Sequence, residues 1–217
     1  MSELFDEVDE EIRREQLKKL WDSYSLYIIA LALLVIASVG GWRAYQYFDA
    51  QKAAEAGDSF NKAIELSEQG KHTEAEAAFA GLAAKAPYGY RVLSRFRAAG
   101  EAAARDPQAA AKMFDEIAAD RSVGTELQAL ARIRAAGLLV DSATYADMKQ
   151  RLEPDTGAGA TFHNVARELL ALSAFHANDS TATRQWLDMI ALDAETPPSL
   201  RSRAEALQAL LPPVAKS

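Results

Sequence analysis

Hydrophobic and polar positions along this chain follow two regimes. From Ser23 to Trp42 (SYSLYIIALALLVIASVGGW) twenty residues run without a charge. As an α-helix that run measures about 30 Å, the thickness of a bilayer's hydrocarbon core. No second run of this kind occurs. From residue 43 onward apolar residues return every three or four positions in short blocks, the spacing of one buried helix face. Breakers part the blocks: Gly70, Pro87 with Gly89, Asp106-Pro107, Ser122 to Gly124, Asp141-Ser142, Pro154 to Gly159, Asn178-Asp179 and Thr196 to Pro198. The pattern predicts helices over 43–69, 72–85, 89–104, 107–119, 124–140, 143–152, 161–177, 179–192 and 197–211, the first continuing out of the uncharged run. Val and Ile are sparse in these blocks, strand-like alternation is missing, and Ala, Leu, Glu, Arg and Gln dominate. The expected fold class is all-α.

The uncharged run has two competing readings. A secretory signal has a short basic leader, an apolar part of about 7–15 residues and small residues at the cut. Residues 1–22 instead hold eight acids against four bases (Arg13, Arg14, Lys18, Lys19), and Ile36 to Val39 offers no good cleavage site. A buried core helix rarely stays uncharged for so long. Aromatic rings also bracket the run, Trp21, Tyr24 and Tyr27 before it and Trp42, Tyr45, Tyr47 and Phe48 after it. Such rings favour the headgroup layers. The expectation is one uncleaved spanning helix bounded by Ser23 and Trp42. Four Lys/Arg lie just upstream, against Arg43 and Lys52 downstream. Acids count little in this asymmetry, so it places the N-terminus in the cytoplasm. The expected organisation is a cytoplasmic head at 1–22, a transmembrane helix at 23–42 and a periplasmic body at 43–217.

Within the body, several breakers read as helix starts. Asp106 before Pro107 and Thr196 before Pro197 place a capping oxygen ahead of a proline whose missing N–H costs nothing at the first helical position. Thr73 with Glu76 fits a capping box. Short helices joined by tight turns suggest a repeat with a period near 34 residues. Residues 57–90 give the best unit: Ala63, Gly70 at the turn, Ala75, Phe79, Leu82 and Pro87. This is tetratricopeptide spacing, in which a small residue in each helix lets two backbones close up and the aromatic fills the gap between hairpins. Ala98, Ala110, Phe114 and Ile117 repeat it. A third unit over Ala131–Leu152 is degenerate, with Thr144 and Met148 where Ala and Phe belong. A fourth, 161–196, keeps Ala182, Trp186 and Met189. Ser199–Leu211 reads as a terminal capping helix. The competing reading is an Ala-rich helical bundle without repeats; two consecutive units in register favour an α-solenoid of tetratricopeptide-like hairpins.

The chain has no cysteine, which removes disulfides, thiol chemistry and thiolate metal sites. Its net charge of −7 comes without a basic stripe, so nucleic acid is not an expected partner. His72, His163 and His176 are scattered, lack metal spacing and fall near predicted helix ends, where surface or capping roles account for them. Gly157-Ala158-Gly159 is a bare G-x-G with no preceding strand, read as a loop. No catalytic, cofactor-binding or metal site is expected, nor a small-molecule substrate. Two features suit protein partners. Stacked hairpins create a groove that binds an extended peptide or a helix. In the span, Ala37 with Gly41 and Gly40 with Ala44 have the small-xxx-small spacing that lets another helix approach, although plain Ala/Gly content in a lipid-facing helix accounts for them equally. The head's Leu4, Val8, Ile12, Leu17, Leu20 and Trp21 form a partly helical stripe, read as a solvated juxtamembrane helix rather than a partner surface.

The short head, the span exit Gly40-Gly41-Trp42-Arg43 and the Ala-rich helix that follows, Ala53 to Ala63, resemble the YfgM-like proteins, ancillary subunits of the bacterial SecYEG translocon. The resemblance implies a non-enzymatic inner-membrane protein with a tetratricopeptide-like periplasmic domain. It implies the translocon and periplasmic chaperones as partners, with emerging chains handed from one to the other. It carries over no binding residues, and the acidic head departs from the family's pattern. The alternatives are a tethered envelope adaptor for cell division, cytochrome assembly or stress signalling, and a non-catalytic subunit of a membrane enzyme.

Overall fold

A computed structural model of the protein describes residues 3–213. Its elements are α1 (Glu3–Glu68), α2 (His72–Lys85), α3 (Tyr88–Ala103), α4 (Pro107–Ala119), α5 (Thr125–Leu139), α6 (Tyr145–Leu152), α7 (His163–His176), α8 (Ser180–Leu192) and α9 (Pro198–Ala209). Single 3-10 turns at Arg121–Val123 and Glu153–Asp155 bridge α4 to α5 and extend α6. No strand occurs among the described residues. The chain divides into two units, residues 1–54 and 55–217.

The first unit is helix throughout its described residues. From Trp21 onward its helix is long and apolar enough to cross a membrane, and none of its most apolar window is buried. Leu31, Leu33, Leu34 and Ile36 are all exposed. The one hydroxyl in its middle is satisfied locally: Ser38 Oγ donates to the Leu34 carbonyl at 2.7 Å. A serine therefore costs this apolar helix no unmet hydrogen bond. The Trp42 ring lies 6.3 Å from that of Tyr45, and Tyr47 meets Phe48 edge-on at 5.9 Å. The side chains of Leu4, Val8, Ile12, Leu17 and Leu20 lie outside the described residues; Trp21 is exposed.

The second unit is built from hairpins. Ala63, Ala75, Phe79 and Ala98 form one buried cluster, with Phe60 edge-on to Phe79 at 5.2 Å. Small residues let the helices approach, and the fully buried Phe79 ring fills the space left between them. The next cluster repeats the arrangement with Val92, Ala99, Ala111, Phe114 and Ile117. Further along, Met148, Leu152, Ala166 and Leu170 form a third and Leu187, Ile190, Leu200 and Ala204 a fourth. Hydrogen bonds one repeat length apart tie these layers together. Ser67 donates to Glu101, 34 residues on, and Tyr88 to the Ser122 carbonyl, also 34 on. Arg151 binds Asp115 across 36 residues and Arg203 binds Glu168 across 35. A helical bundle without repeats has no reason to return to one spacing. This regularity is what a solenoid of repeats requires.

Turn chemistry follows the sequence at most junctions. Asp106 Oδ1 accepts from Ala109 N at 3.0 Å ahead of Pro107, and Asp179 Oδ1 accepts from Ala182 N at 2.9 Å. Gly70 (φ 74°) and Asn178 (φ 57°) close their helices in the left-handed region. Two expected caps fail. Helix α2 begins at His72, so Thr73 and Glu76 lie inside it, and both face Arg105, which donates to Thr73 Oγ1 at 3.3 Å and Glu76 Oε2 at 2.9 Å. Thr196 does not cap α9; it is buried and donates to the Ile190 carbonyl at 2.8 Å.

The third hairpin is degenerate for a visible reason. Thr144 is the N-cap of α6, its Oγ1 accepting from Asp147 N at 3.2 Å, so it stands outside the helix face where its counterparts Ala75 and Ala110 pack. Arg132 of α5 holds the buried Asp155 through two bonds of 2.6 and 2.7 Å. An opening of about 660 Å³ is left between α4, α5 and α6. Met148 and Leu152 are nevertheless fully buried, four and eight residues after the Thr144 cap, where Ala75 and Phe79 stand after Lys71.

Candidate functional site

Helix α1 carries Ser23 and Trp42, both exposed, as are Ala37, Gly40, Gly41 and Ala44. The four small residues are spaced by three, four and seven positions and so share one face. A Cβ added at Gly40 or Gly41 would meet nothing within 4 Å.

The body brings together a polar cluster that the sequence left scattered. His163, expected in a surface or capping role, is buried, because the turn before α7 and the turn after α8 close over it. Its Nδ1 lies 2.6 Å from the Ala160 carbonyl and its Nε2 lies 2.8 Å from Asp193 Oδ2. Arg167, also buried, reaches the same Oδ2 at 2.8 Å. Its Nε donates to the Thr156 carbonyl at 3.0 Å. Asp193 Oδ1 accepts from Glu195 N at 2.9 Å. That backbone N–H is the main reason the Asp193 carboxyl sits below the ordinary range; burial opposes it, and Arg167 and His163 add to it. His163, Asp193 and Glu195 offer ligand atoms within 4.8 Å of one another, enough in number and type for a metal ion. The Arg167 guanidinium, bonded to the same Asp193 oxygen, already supplies the positive charge there and would repel a second cation. The donor set reads as a structural tie between α7 and the two turns.

The remaining histidines are exposed. His72 Nδ1 lies 2.8 Å from Glu101, and His176 Nδ1 lies 3.4 Å from the Val140 carbonyl. Both join neighbouring repeats. Gly157 to Gly159 lies in the turn between Asp155 and α7, as expected of a loop. No motif pointed to the His163 cluster, since its partners lie 26 and 30 residues apart.

Comparison with known families gives one finding. A family model described as a tetratricopeptide repeat-like domain matches residues 18–171, from just ahead of the uncharged run into α7. No match was found among curated proteins or among solved structures. Domains of this kind are as a rule non-catalytic modules that bind other proteins. With most of its length covered by that match, the chain belongs to the tetratricopeptide repeat-like family.

Proposed function

We propose that this protein is a non-enzymatic scaffold held in the bacterial inner membrane by Ser23–Trp42, with its head in the cytoplasm and its repeats in the periplasm. There it serves the SecYEG translocon and passes emerging chains to periplasmic chaperones. One observation carries most of the weight: the family match takes in the whole uncharged run together with the repeats. A cleavable leader would be foreign to the mature domain, whereas an anchor is part of it. The unburied apolar window supports the same reading, because a core helix of a soluble protein would be covered. The translocon as partner rests on the span exit Gly40 to Arg43 and on the Ala-rich helix after it.

In-cell photocrosslinking tests the partner. A photoreactive residue at Ala37 or Gly41, and another on the exposed side of Ala53 to Ala63, should capture the translocon channel. Capture of a division or assembly protein instead would sink the translocon reading. Protease added to spheroplasts tests the sidedness, and the body should be digested while the head survives.

A further inference from the structure

Leu93 to Gly100 of α3 (LSRFRAAG) returns in α5 as Leu130 to Gly137 (LARIRAAG), with only Ser94 and Phe96 exchanged for Ala131 and Ile133. Part of this octet is explained by the fold. Ala98, Ala99, Ala135 and Ala136 are buried. The first arginine of each copy is held by an acid in the turn after the next helix. Arg95 binds Asp120 at 2.6 Å, and Arg132 binds Asp155 at 2.6 and 2.7 Å.

The fold makes little use of the rest. Leu93, Arg97 and Gly100 are four and three residues apart and so share one helix face, as do Leu130, Arg134 and Gly137. Leu93 is 53% exposed, Leu130 is half-buried, and both arginines and both glycines are exposed. Arg97 and Arg134 take no ion pair and no side-chain hydrogen bond among the described residues. A Cβ at Gly100 or Gly137 would meet nothing within 4 Å. Internal packing therefore does not require these glycines, although each weakens its helix relative to alanine.

Val92 and Ala99 of α3 share a buried cluster with Ala131 and Ala135 of α5, which sets the two open faces side by side. In α7 the arginine that matches Arg95 and Arg132 is Arg167, bound to Asp193 at 2.8 Å. In that register Val165, Leu169 and Leu172, all half-buried, continue the three rows. The basic row thus covers two helices and ends against an apolar position. Acids nearby are few and engaged. Glu101 of α3 is buried and tied to Ser67 and His72. Glu126 of α5 lies two turns from Arg134 and accepts from the Thr125 hydroxyl at 3.0 Å. Asp141, past the end of α5, lies 3.6 Å from His176. In a protein of net charge −7, two uncommitted guanidinium groups on adjoining helices form a local site for carboxylates.

We propose that the open face of α3 and α5 binds an extended acidic segment of a partner protein. Two of its carboxylates pair with Arg97 and Arg134, and its backbone lies over Gly100 and Gly137, where the missing side chains leave room. Packed helices lie about 10 Å apart and an extended chain advances about 3.3 Å per residue, so acids two to four residues apart reach both arginines. Leu93, Leu130 and Val165 take the segment's apolar side chains. The inference deepens the protein-binding reading of the repeats and does not depend on the translocon.

The test uses the full chain in phosphatidylcholine nanodiscs, with empty discs subtracted. The probe is a labelled ten-residue peptide of Glu, Leu and Ser with Glu at alternate central positions. A second peptide carries Gln in place of each Glu. Anisotropy should show the Glu peptide binding at least about tenfold tighter than the Gln one. Arg97→Glu with Arg134→Glu, on exposed positions, should weaken it at least about tenfold at an unchanged melting temperature. Arg91→Glu with Lys112→Glu makes the same charge change at exposed bases on other faces and should leave affinity within about twofold. Gly100→Leu with Gly137→Leu alters no charge and favours both helices. It should raise the melting temperature and still weaken the probe about tenfold. Equal affinity for the two peptides, equal losses in the two charge reversals, or full binding in the leucine variant would overturn the proposal. So would tighter binding after removal of residues 2–17, which gives the face to the chain's own acidic head. Self-association abolished by the Arg97 and Arg134 reversal would assign the face to a second copy and overturn the proposal equally. Absent probe binding alongside intact crosslinks from Ala37 to the translocon would sink this inference and leave the broader function standing.

Discussion

The imidazole of His163 points both of its nitrogens at acceptors, and the one that matters is Asp193, 2.8 Å from Nε2. The Ala160 carbonyl at Nδ1 can only accept, so the ring makes both bonds only as an imidazolium. A neutral ring has another partner waiting, because Asn164 Nδ2 lies 3.1 Å from the same Nε2. Asp193 Oδ2 is thus shared by Arg167 and His163.

His163→Leu should accordingly raise the titration midpoint of the Asp193 carboxyl, read by NMR, while leaving it below the ordinary value. The residual depression is expected because the Glu195 N–H, the largest cause, survives the substitution. A midpoint unchanged in His163→Leu would mean the ring carries no charge in the folded protein.

Acid should unfold the body through the same kind of group. Asp120 is held at about 2 by the Ser122 hydroxyl and N–H and by Arg95 at 2.6 Å, and Asp193 is also depressed. Carboxyls lowered in the folded state stabilise it fully above their unfolded value near 4, and that contribution is lost as pH falls toward their folded values. Urea midpoints should therefore be flat down to about pH 4.5 and fall between about 4 and 2. Asp120→Asn should flatten that fall. A steeper fall in the variant would contradict the assignment.

How much of this was legible in the sequence depends on range. Helix boundaries were set by local chemistry, so Asp106-Pro107, Gly70 and Asn178-Asp179 placed them within a residue or two of where they lie. The repeat was legible because Ala63, Ala75 and Phe79 pack by size, and size is visible in a sequence. Thr73 with Glu76 matched a local motif, yet both answer to Arg105, about 30 residues away, and no local pattern reveals that. His163 failed the same way: its position near a helix end was correct, but its burial depends on Asp193 in a distant turn.

Gly57 offers a sharp packing test. A Cβ there would lie 2.8 Å from Tyr90 Oη but 3.5 Å from Tyr90 Cζ. Gly57→Ala should gain about 1 kcal/mol of helix propensity and lose it again to the clash. In a Tyr90→Phe background the clash is gone, and the same substitution should stabilise by about 1 kcal/mol. A double-mutant cycle by urea unfolding reads this coupling. Additive effects would refute the contact.

Arg132→Ala should destabilise. Asp155 is 4% exposed and would lose its bidentate partner. Stranding a buried charge costs about 3 kcal/mol, at the lower end here because Arg132 is partly solvated. Adding Asp155→Asn should recover part of the loss, since a neutral amide is cheaper to leave buried. A neutral or stabilising Arg132→Ala would show that Asp155 does not depend on this partner.

The membrane reading makes its own demand on single charges. Leu33 lies near the middle of the Ser23–Trp42 run and is 61% exposed on the helix. If lipid covers it, Leu33→Lys places an ammonium at mid-bilayer at a cost of about 3 kcal/mol, and the protein should shift from the membrane pellet to the carbonate-soluble fraction. Leu33→Ala, equally exposed but uncharged, should stay in the pellet. Orientation is tested separately by replacing Arg13, Arg14, Lys18 and Lys19 with Gln while inserting three Lys after Trp42. The Lys/Arg bias then points the other way, and a C-terminal reporter active only outside the cytoplasm should lose its signal. A reporter equally active in both versions would show that these residues do not set the topology.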